Sequence, residues 1–191
     1  MTPYRVISWP VSLMATKFEV EELKALAPDS KVLDVGIGTG ITATHLQRDL
    51  HVQVDGVDAS RTMLEVARRV MPANSRLFHG SAVHLPFEAG TYNVVVFNYV
   101  LRYMPASAAE LALREAARVT KQGGKILIAD LSLPRLRPGN QQVDDSVDKN
   151  VLGVWAEYTR TELVTFMQGL GFKHKGTRFP LFSFLLVFQK E

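Results

Sequence analysis

The sequence predicts a doubly wound α/β fold with a mostly parallel sheet of seven strands and an antiparallel last strand. Two observations support this fold class. Short apolar runs of strand length alternate with amphipathic segments of helix length from residue 31 to residue 131. The run Val94–Phe97 is apolar at every position, which is typical of a central parallel strand buried on both faces. Such alternation places helices on both faces of a parallel sheet.

The individual elements follow from periodicity, caps and turn residues. A helix over 17–27 carries Val20, Leu23 and Ala27 on one face. The helix over 39–50 is expected to turn Ile41, His45 and Leu46 inward, with His45 as a core histidine. Ser60 is the expected N-cap of the helix over 61–71, whose apolar face is Met63, Leu64, Ala67 and Val70. The remaining predictions are strands over 31–36, 52–57, 75–79, 92–98 and 124–131 and a helix over 105–120.

The last third of the chain interrupts this alternation. Residues 132–150 hold two prolines, Pro134 and Pro138, and a polar, acidic stretch, which favours a loop or flap. A helix ending near Gly169 precedes two strands, over 172–179 and 182–189. The connection between these strands is so short that it favours an antiparallel pair. We expect residues 1–191 to form one domain, with 1–16 as an N-terminal lid and 132–158 as a flap on the substrate side.

Composition excludes several classes of function. The chain has 191 residues, a formal net charge of +3 and no cysteine. Disulfides and thiolate metal sites are therefore excluded, and no basic cluster predicts nucleic-acid binding. No apolar run approaches the roughly 20 residues that span a bilayer, and the N-terminus is a poor signal peptide, so a cytoplasmic location fits. The five histidines are scattered, so no metal site is predicted.

A glycine-rich loop is the strongest functional signal. Gly36, Gly38 and Gly40 directly follow an apolar strand and precede a helical segment. Glycine is required where backbone turns tightly or approaches a ligand closely. The carboxylate of Asp34 would repel the pyrophosphate of a dinucleotide but would suit a cationic ammonium group. This favours S-adenosylmethionine (SAM) over NAD; the alternative is a tight turn without a ligand.

A second acid stands at the end of the next strand. Asp58 follows Gly40 by 18 residues, close to the spacing of about 20 residues at which dinucleotide folds place the acid that binds ribose hydroxyls. The alternative is that Asp58 only caps the following helix, although Ser60 could do that instead.

Five ordered segments resemble the class I SAM-dependent methyltransferases, most closely the branch of ubiquinone and menaquinone biosynthesis. They are Val32–Gly40, Gly56–Ser60, His79–Phe87, Tyr92–Val96 with Val100–Tyr103, and Glu115–Lys125. The chain departs from this family at Ser81, where an acid is usual, at Asn93, and at Tyr103 after the Leu-Arg pair. The segment after the fifth strand is much shorter than in the quinone enzymes, so their substrate specificity does not carry over.

The resemblance implies a set of cofactor residues around these motifs. The set comprises Asp34, Gly36, Ile37, Gly38, Gly40, Asp58, Ala59, Ser81, Ala82 and Asn98. No catalytic residue is assigned, and the candidates are Tyr99, Arg102 and His84. Arg102 could orient an oxyanion or form a structural salt bridge with an acid such as Glu115. Tyr4, Trp9 and Asp130 are further candidates for the substrate side.

The function predicted from these residues is SAM-dependent methylation of a small, apolar or aromatic molecule at carbon or oxygen. One alternative is a protein of this fold that binds SAM without methyl transfer, as a cyclase or a regulatory partner, because fold does not fix the reaction. Another is an NAD(P)-binding oxidoreductase. A small-molecule methyl acceptor is the only partner predicted, and the oligomeric state stays open.

Overall fold

The computed structural model describes residues 15–73, 75–131, 160–178 and 183–191. Residues 15–23 are helical and are called α1. The other helices are α2 Ile41–Leu50, α3 Arg61–Val70, α4 Ala106–Val119 and α5 Arg160–Gly169, with a 3-10 turn over Leu101–Tyr103. The strands are β1 Lys31–Val35, β2 Gln53–Asp58, β3 Arg76–His79, β4 Tyr92–Asn98, β5 Thr120–Leu131, β6 Phe172–Arg178 and β7 Ser183–Lys190.

The described strands form one seven-stranded sheet in the order β3-β2-β1-β4-β5-β7-β6. The strands from β3 to β5 pair in parallel, whereas β7 is antiparallel to both of its neighbours. The strand order reverses between β1 and β4, so their carboxyl ends frame the crevice where open α/β sheets bind ligands. This topology confirms the predicted fold class, with only β7 reversed.

Alternate residues of each central strand face two separate hydrophobic cores, as the pleat requires. Leu33, Val95 and Ile126 face the core that α4 and α5 cover. Val32 and Val94 face the core that α1, α2 and α3 cover. Asp34 has the parity of Val32, so its side chain lies on the face that α1 covers.

The first helix differs from its prediction. It ends at residue 23 rather than 27, and its buried side chains are Ala15, Thr16, Glu19 and Leu23. Ala27 is exposed and lies beyond the helix. Residues 15 and 16, expected in the N-terminal lid, belong to this buried helical face; residues 1–14 and 132–159 lie outside the described part.

Several predicted inward positions were wrong because the apolar stripe of each helix is wider than the surface it covers. Ile41, Met63 and Val70 are 43%, 41% and 47% exposed. His45 is not a core histidine: it is half-buried, and its Nδ1 lies 2.7 Å from Arg48. Leu46, Leu64 and Ala67 are buried as predicted. The Ser60 hydroxyl accepts the Met63 N–H at 3.3 Å, which confirms the predicted N-cap.

Across the described ranges, the helices are too short or too polar to cross a bilayer.

Candidate functional site

The glycine loop joins the end of β1 to the start of α2 and is tied to β2. The Gly36 N–H donates to the Val57 carbonyl at 2.8 Å. Gly36, Gly38 and Gly40 all have positive φ, but their surroundings differ. A Cβ on Gly36 would lie 2.4 Å from Val100, whereas a Cβ on Gly38 would meet nothing closer than 3.9 Å. The loop is therefore closed by packing at Gly36 and open at Gly38.

At Gly40, close packing against neighbouring side chains leaves no room for a Cβ. A Cβ there would lie 2.9 Å from Met71 and 3.2 Å from Ala67, at the point where α2 begins against α3. The Ile37 side chain is also buried and points into the core: it occupies the space that a Cβ on Gly56 would need, at 2.1 Å. Only the backbone of Ile37 is thus left for a ligand. Gly56 was not among the predicted site residues, although glycine inside a strand signals such a close approach.

Asp58 links the glycine loop to the start of α3. One carboxylate oxygen accepts the Gly38 N–H and the other accepts the Ser60 N–H, each at 2.8 Å. The residue is half-buried, and each of its oxygens keeps a second acceptor position. Asp58 therefore orders the loop and keeps acceptor capacity at the edge of the sheet.

The segment after β3 lies beside Asp58. The Gly80 N–H donates to the Asp58 carbonyl at 3.1 Å, so the chain enters the predicted adenine segment from this point. Ser81 is exposed and Ala82 is buried. The exposed Ala59 approaches the same segment, since its carbonyl lies 3.1 Å from the His79 Nε2.

Two residues of α4 form hydrogen bonds to the backbone of the segment that follows β3. Glu115 accepts the Leu85 N–H at 2.8 Å. Arg118 donates to the carbonyls of Leu85 at 3.0 Å and Phe87 at 2.7 Å. The Arg118 guanidinium also holds the pKa of Glu115 below its ordinary value. His84 is exposed beside Glu115, and no described contact brings it to Tyr99 or Arg102.

Two buried carboxyl groups and the half-buried side chain of Asn98 lie on the α1 face of the sheet. Asp34 is 1% exposed and Glu19 is 0% exposed. Among the described residues, no hydrogen-bond partner reaches either oxygen of Glu19, the Asp34 Oδ1 or the Asn98 Nδ2. Burial, and after it the charge of Asp58, raises the pKa of Asp34 to about 8. Burial and then the charge of Asp34 raise the pKa of Glu19 well above its ordinary value.

Glu19 was not predicted as a site residue. The signal was present in the sequence: Ala15, Glu19 and Leu23 follow at intervals of four residues, so they share one helix face. A charged residue in that position contradicts the usual composition of a buried face.

The ends of β4 and β5 carry the catalytic candidates. Tyr99 has φ of 58°, rare for a residue with a side chain, and its N–H donates to the Ala129 carbonyl at 2.8 Å. Burial raises the pKa of Tyr99 to about 12, while its hydrogen bond with Ser183 acts in the opposite direction. Tyr99 therefore stays protonated at neutral pH.

Arg102 is held by an acid on the neighbouring strand. Its backbone N–H donates to Asp130 at 3.2 Å, and its guanidinium lies 4.0 Å from the same carboxylate. Arg102 therefore forms the kind of salt bridge expected as the alternative, but its partner is Asp130 and not Glu115, which pairs with Arg118 at 2.7 Å. Within the ranges that the structure describes, no group of three or more potential metal ligands occurs.

Comparisons with known proteins match this chain to methyltransferases. A family model described as a methyltransferase domain matches residues 32–124. The chain is 32% identical over 159 residues to a demethylmenaquinone methyltransferase of Listeria welshimeri, covering 80% of this chain and 66% of the relative. The chain thus spans just under two thirds of that relative's length.

Two solved structures share the fold. A protein from Pyrococcus horikoshii aligns with a TM-score of 0.71 at 24% identity, over 92% of this chain and 91% of its own. The cyclase SpnF aligns with a TM-score of 0.73 at 19% identity, over 92% of this chain and 80% of its own. The matched domain, the curated relative and the shared sheet topology together show that this chain carries a methyltransferase domain with the class I fold, similar in sequence to the demethylmenaquinone methyltransferases.

Proposed function

We propose that this protein transfers a methyl group from SAM to a carbon or oxygen atom of a small aromatic acceptor related to the reduced quinones. The observation that carries the proposal is the glycine loop: it is open at Gly38, held by Asp58, and flanked by the buried carboxyl group of Asp34, whose Oδ1 has no hydrogen-bond partner in the described residues. Burying a carboxyl group without a partner costs free energy. A turn that binds no ligand would therefore be destabilised by this acid and would gain nothing from it.

The described residues fit the cofactor at both of its ends. Asp58 keeps free acceptor positions where ribose hydroxyls would need them. Ser81 and Ala82 supply a small polar and apolar edge for an adenine ring. Asp34 supplies an unpartnered oxygen for a cationic amino group. When bound, SAM supplies an electrophilic methyl group on a sulfonium.

The residues beyond β4 would orient the acceptor. Tyr99 stays protonated at neutral pH, so its hydroxyl can donate a hydrogen bond but cannot act as a base. Arg102 presents a charge that suits a phenolate or enolate oxygen, while Asp130 limits its position. Holding the acceptor in line with the methyl group is the main task of such a site.

The acceptor class comes from the relatives. The Listeria welshimeri protein is named for demethylmenaquinone, and methylation at a ring carbon next to a phenolic oxygen needs no metal-ligand cluster. A proton leaves the acceptor as the new bond forms, and the electron pair of the broken bond stays on sulfur. The cytoplasmic location, the lid role of residues 1–14 and the flap role of residues 132–158 remain predictions.

Calorimetry and a turnover assay test this proposal. Wild-type protein should bind SAM and S-adenosylhomocysteine (SAH) but not NADH. With SAM and a reduced demethylmenaquinone analogue carrying a short side chain, it should release SAH and form the methylated product, detected by mass spectrometry. NADH binding without SAM binding would favour the oxidoreductase alternative. SAM binding with no methylated product from a panel of aromatic acceptors would favour a cyclase or regulatory role.

A further inference from the structure

Glu19 is the buried acid that the motifs leave unexplained. It comes from α1, outside the glycine loop and the strand ends that carry the recognised motifs. Its carboxyl group is fully buried, and neither of its oxygens has a hydrogen-bond partner in the described residues. Asp34, with one unpartnered oxygen of its own, lies close enough for its charge to act on Glu19.

Among the described residues, no positive charge acts on the Glu19 carboxyl group. From β1 it faces Asp34, and from the end of β4 it faces Asn98 and Tyr99. The charge of Asp58, at the end of β2, acts on Asp34. Among the described groups, only the nearby amide of Asn98 favours the ionised form of Glu19, as a potential hydrogen-bond donor, although its Nδ2 does not reach either oxygen with hydrogen-bond geometry. No described salt bridge includes Glu19 or Asp34. Two adjacent buried carboxyl groups without a cation are destabilising.

We propose that Glu19 is a cofactor-binding residue that, together with Asp34, receives the α-ammonium group of the cofactor's amino-acid part. The unpartnered oxygens are acceptors beside the glycine loop, and an ammonium group brings three donors and the missing positive charge. The inference rests on the proposed function, because SAM and SAH both carry this group.

The pairing involves a proton balance. Without ligand, the two carboxyl groups favour their protonated forms, because burial acts on both, and because the charge of Asp58 acts on Asp34 and that of Asp34 acts on Glu19. The ammonium group arrives already protonated, so the carboxyl pair gives a proton to solvent as it binds. The affinity for SAH should therefore rise between pH 6 and pH 8. The affinity for 5′-methylthioadenosine, which keeps the adenosine and sulfur but lacks the amino-acid part, should stay constant over that range.

The matched test compares these two ligands on two variants of the full chain. Glu19→Gln keeps the shape of the side chain and removes its negative charge. We expect SAH binding by calorimetry to weaken at least tenfold, while 5′-methylthioadenosine binding stays within twofold of wild type. The control Glu21→Gln changes an exposed acid on the same helix, 64% exposed in its side chain, and should leave both affinities unchanged. The thermal midpoint of Glu19→Gln should not fall below that of wild type, because a buried carboxyl group is removed.

Each other outcome is decisive. Unchanged SAH affinity in Glu19→Gln would overturn the assignment, and so would an equal loss for both ligands, which would make Glu19 a purely structural residue. A wild-type affinity for SAH that does not vary with pH would overturn it without any variant. Wild-type protein that binds neither ligand would overturn the proposed function itself, and the assignment with it.

Discussion

At the residue scale, a few buried polar groups of the candidate site destabilise the folded chain. Asp34 and Glu19 lie in an apolar environment on the α1 face of the sheet, where an ionised carboxylate is poorly solvated. Without ligand, both carboxyl groups can stay buried in the folded chain because they remain protonated at pH values at which they would ionise in an unfolded chain. In the proposed pairing, a ligand that supplies a positive charge recovers this cost on binding.

This arrangement predicts an unusual pH dependence of stability. The pKa of Asp34 is about 8 in the folded chain and about 4 in an unfolded one, so the folded state binds the extra proton between these values. Its free energy of unfolding should fall as pH rises from 6 to 8, by up to about 1.4 kcal/mol per pH unit for one proton, and level off above the folded pKa. Glu19 acts in the same direction. Urea denaturation at pH 6, 7 and 8 measures the slope.

The variant Asp34→Asn isolates the contribution of this carboxyl group. It cannot ionise and also relieves the repulsion on Glu19, so its stability should vary less with pH and should exceed that of wild type at pH 8. Curves for the two proteins that run parallel from pH 6 to pH 8 would show that Asp34 does not hold the proton.

At the element scale, the three glycines of the glycine loop share a positive φ but differ in what surrounds them. Gly36 makes room for Val100 and Gly40 makes room for Met71. A side chain at either position would disturb the fold before it disturbed a ligand. Gly38 alone of the three faces open space, and its N–H is fixed by Asp58.

The variant Gly38→Ala separates ligand contact from backbone strain. Its φ of 54° would cost an alanine about 1 kcal/mol of stability. Gly123→Ala is the matched control, because Gly123 has φ of 72° and open space around it but lies near the start of β5, outside the glycine loop. Both variants should lose similar stability in urea denaturation, whereas only Gly38→Ala should lose SAH affinity, by at least tenfold in calorimetry. Equal SAH affinity in the two variants would remove the cofactor from this loop.

Element positions follow from local patterns, whereas their environments do not. The helix predicted over 105–120 is observed at Ala106–Val119, and the strand predicted over 92–98 at Tyr92–Asn98, because periodicity and apolar runs are properties of the local chain. Burial depends on which surface an element meets. Met63 lies on the apolar stripe of α3 yet is exposed, since the sheet below covers only part of that stripe.

At the scale of the whole molecule, the sequence predicts which strand ends carry function but not which side chains meet. Asp34 and Asp58 were predicted from their place beside glycine motifs, because motif and topology together put them at one edge of the sheet. The partners of Arg102 and Glu115 could not be chosen this way: several acids and bases lie within plausible reach, and only the packed fold selects Asp130 and Arg118. Glu19 meets Asp34 for the same reason, through the docking of α1.

Not every buried charge in this molecule belongs to the candidate site. Asp55, in the middle of β2, is buried but fully partnered. It accepts the Tyr92 hydroxyl at 2.9 Å and the Arg76 Nε at 3.0 Å. This network joins β2, β3 and β4 away from the carboxyl ends of the strands, and its satisfied hydrogen bonds contrast with the unpartnered atoms around Asp34. Satisfaction of hydrogen bonds thus distinguishes a structural buried acid from one that awaits a ligand.

The variant Tyr92→Phe tests this distinction. The ring is fully buried, so removing its hydroxyl takes one hydrogen bond from Asp55 and leaves the packing intact. We expect a loss of about 1–2 kcal/mol in the free energy of unfolding, equivalent to a thermal midpoint lower by about 2–8 °C for a chain of this size. The SAH affinity should stay within twofold of wild type, because Arg76 still holds Asp55 and the strand ends do not move. An SAH affinity that falls together with the stability would show that the two ends of the sheet are coupled. In that case, hydrogen bonds alone could not separate structural from functional buried acids.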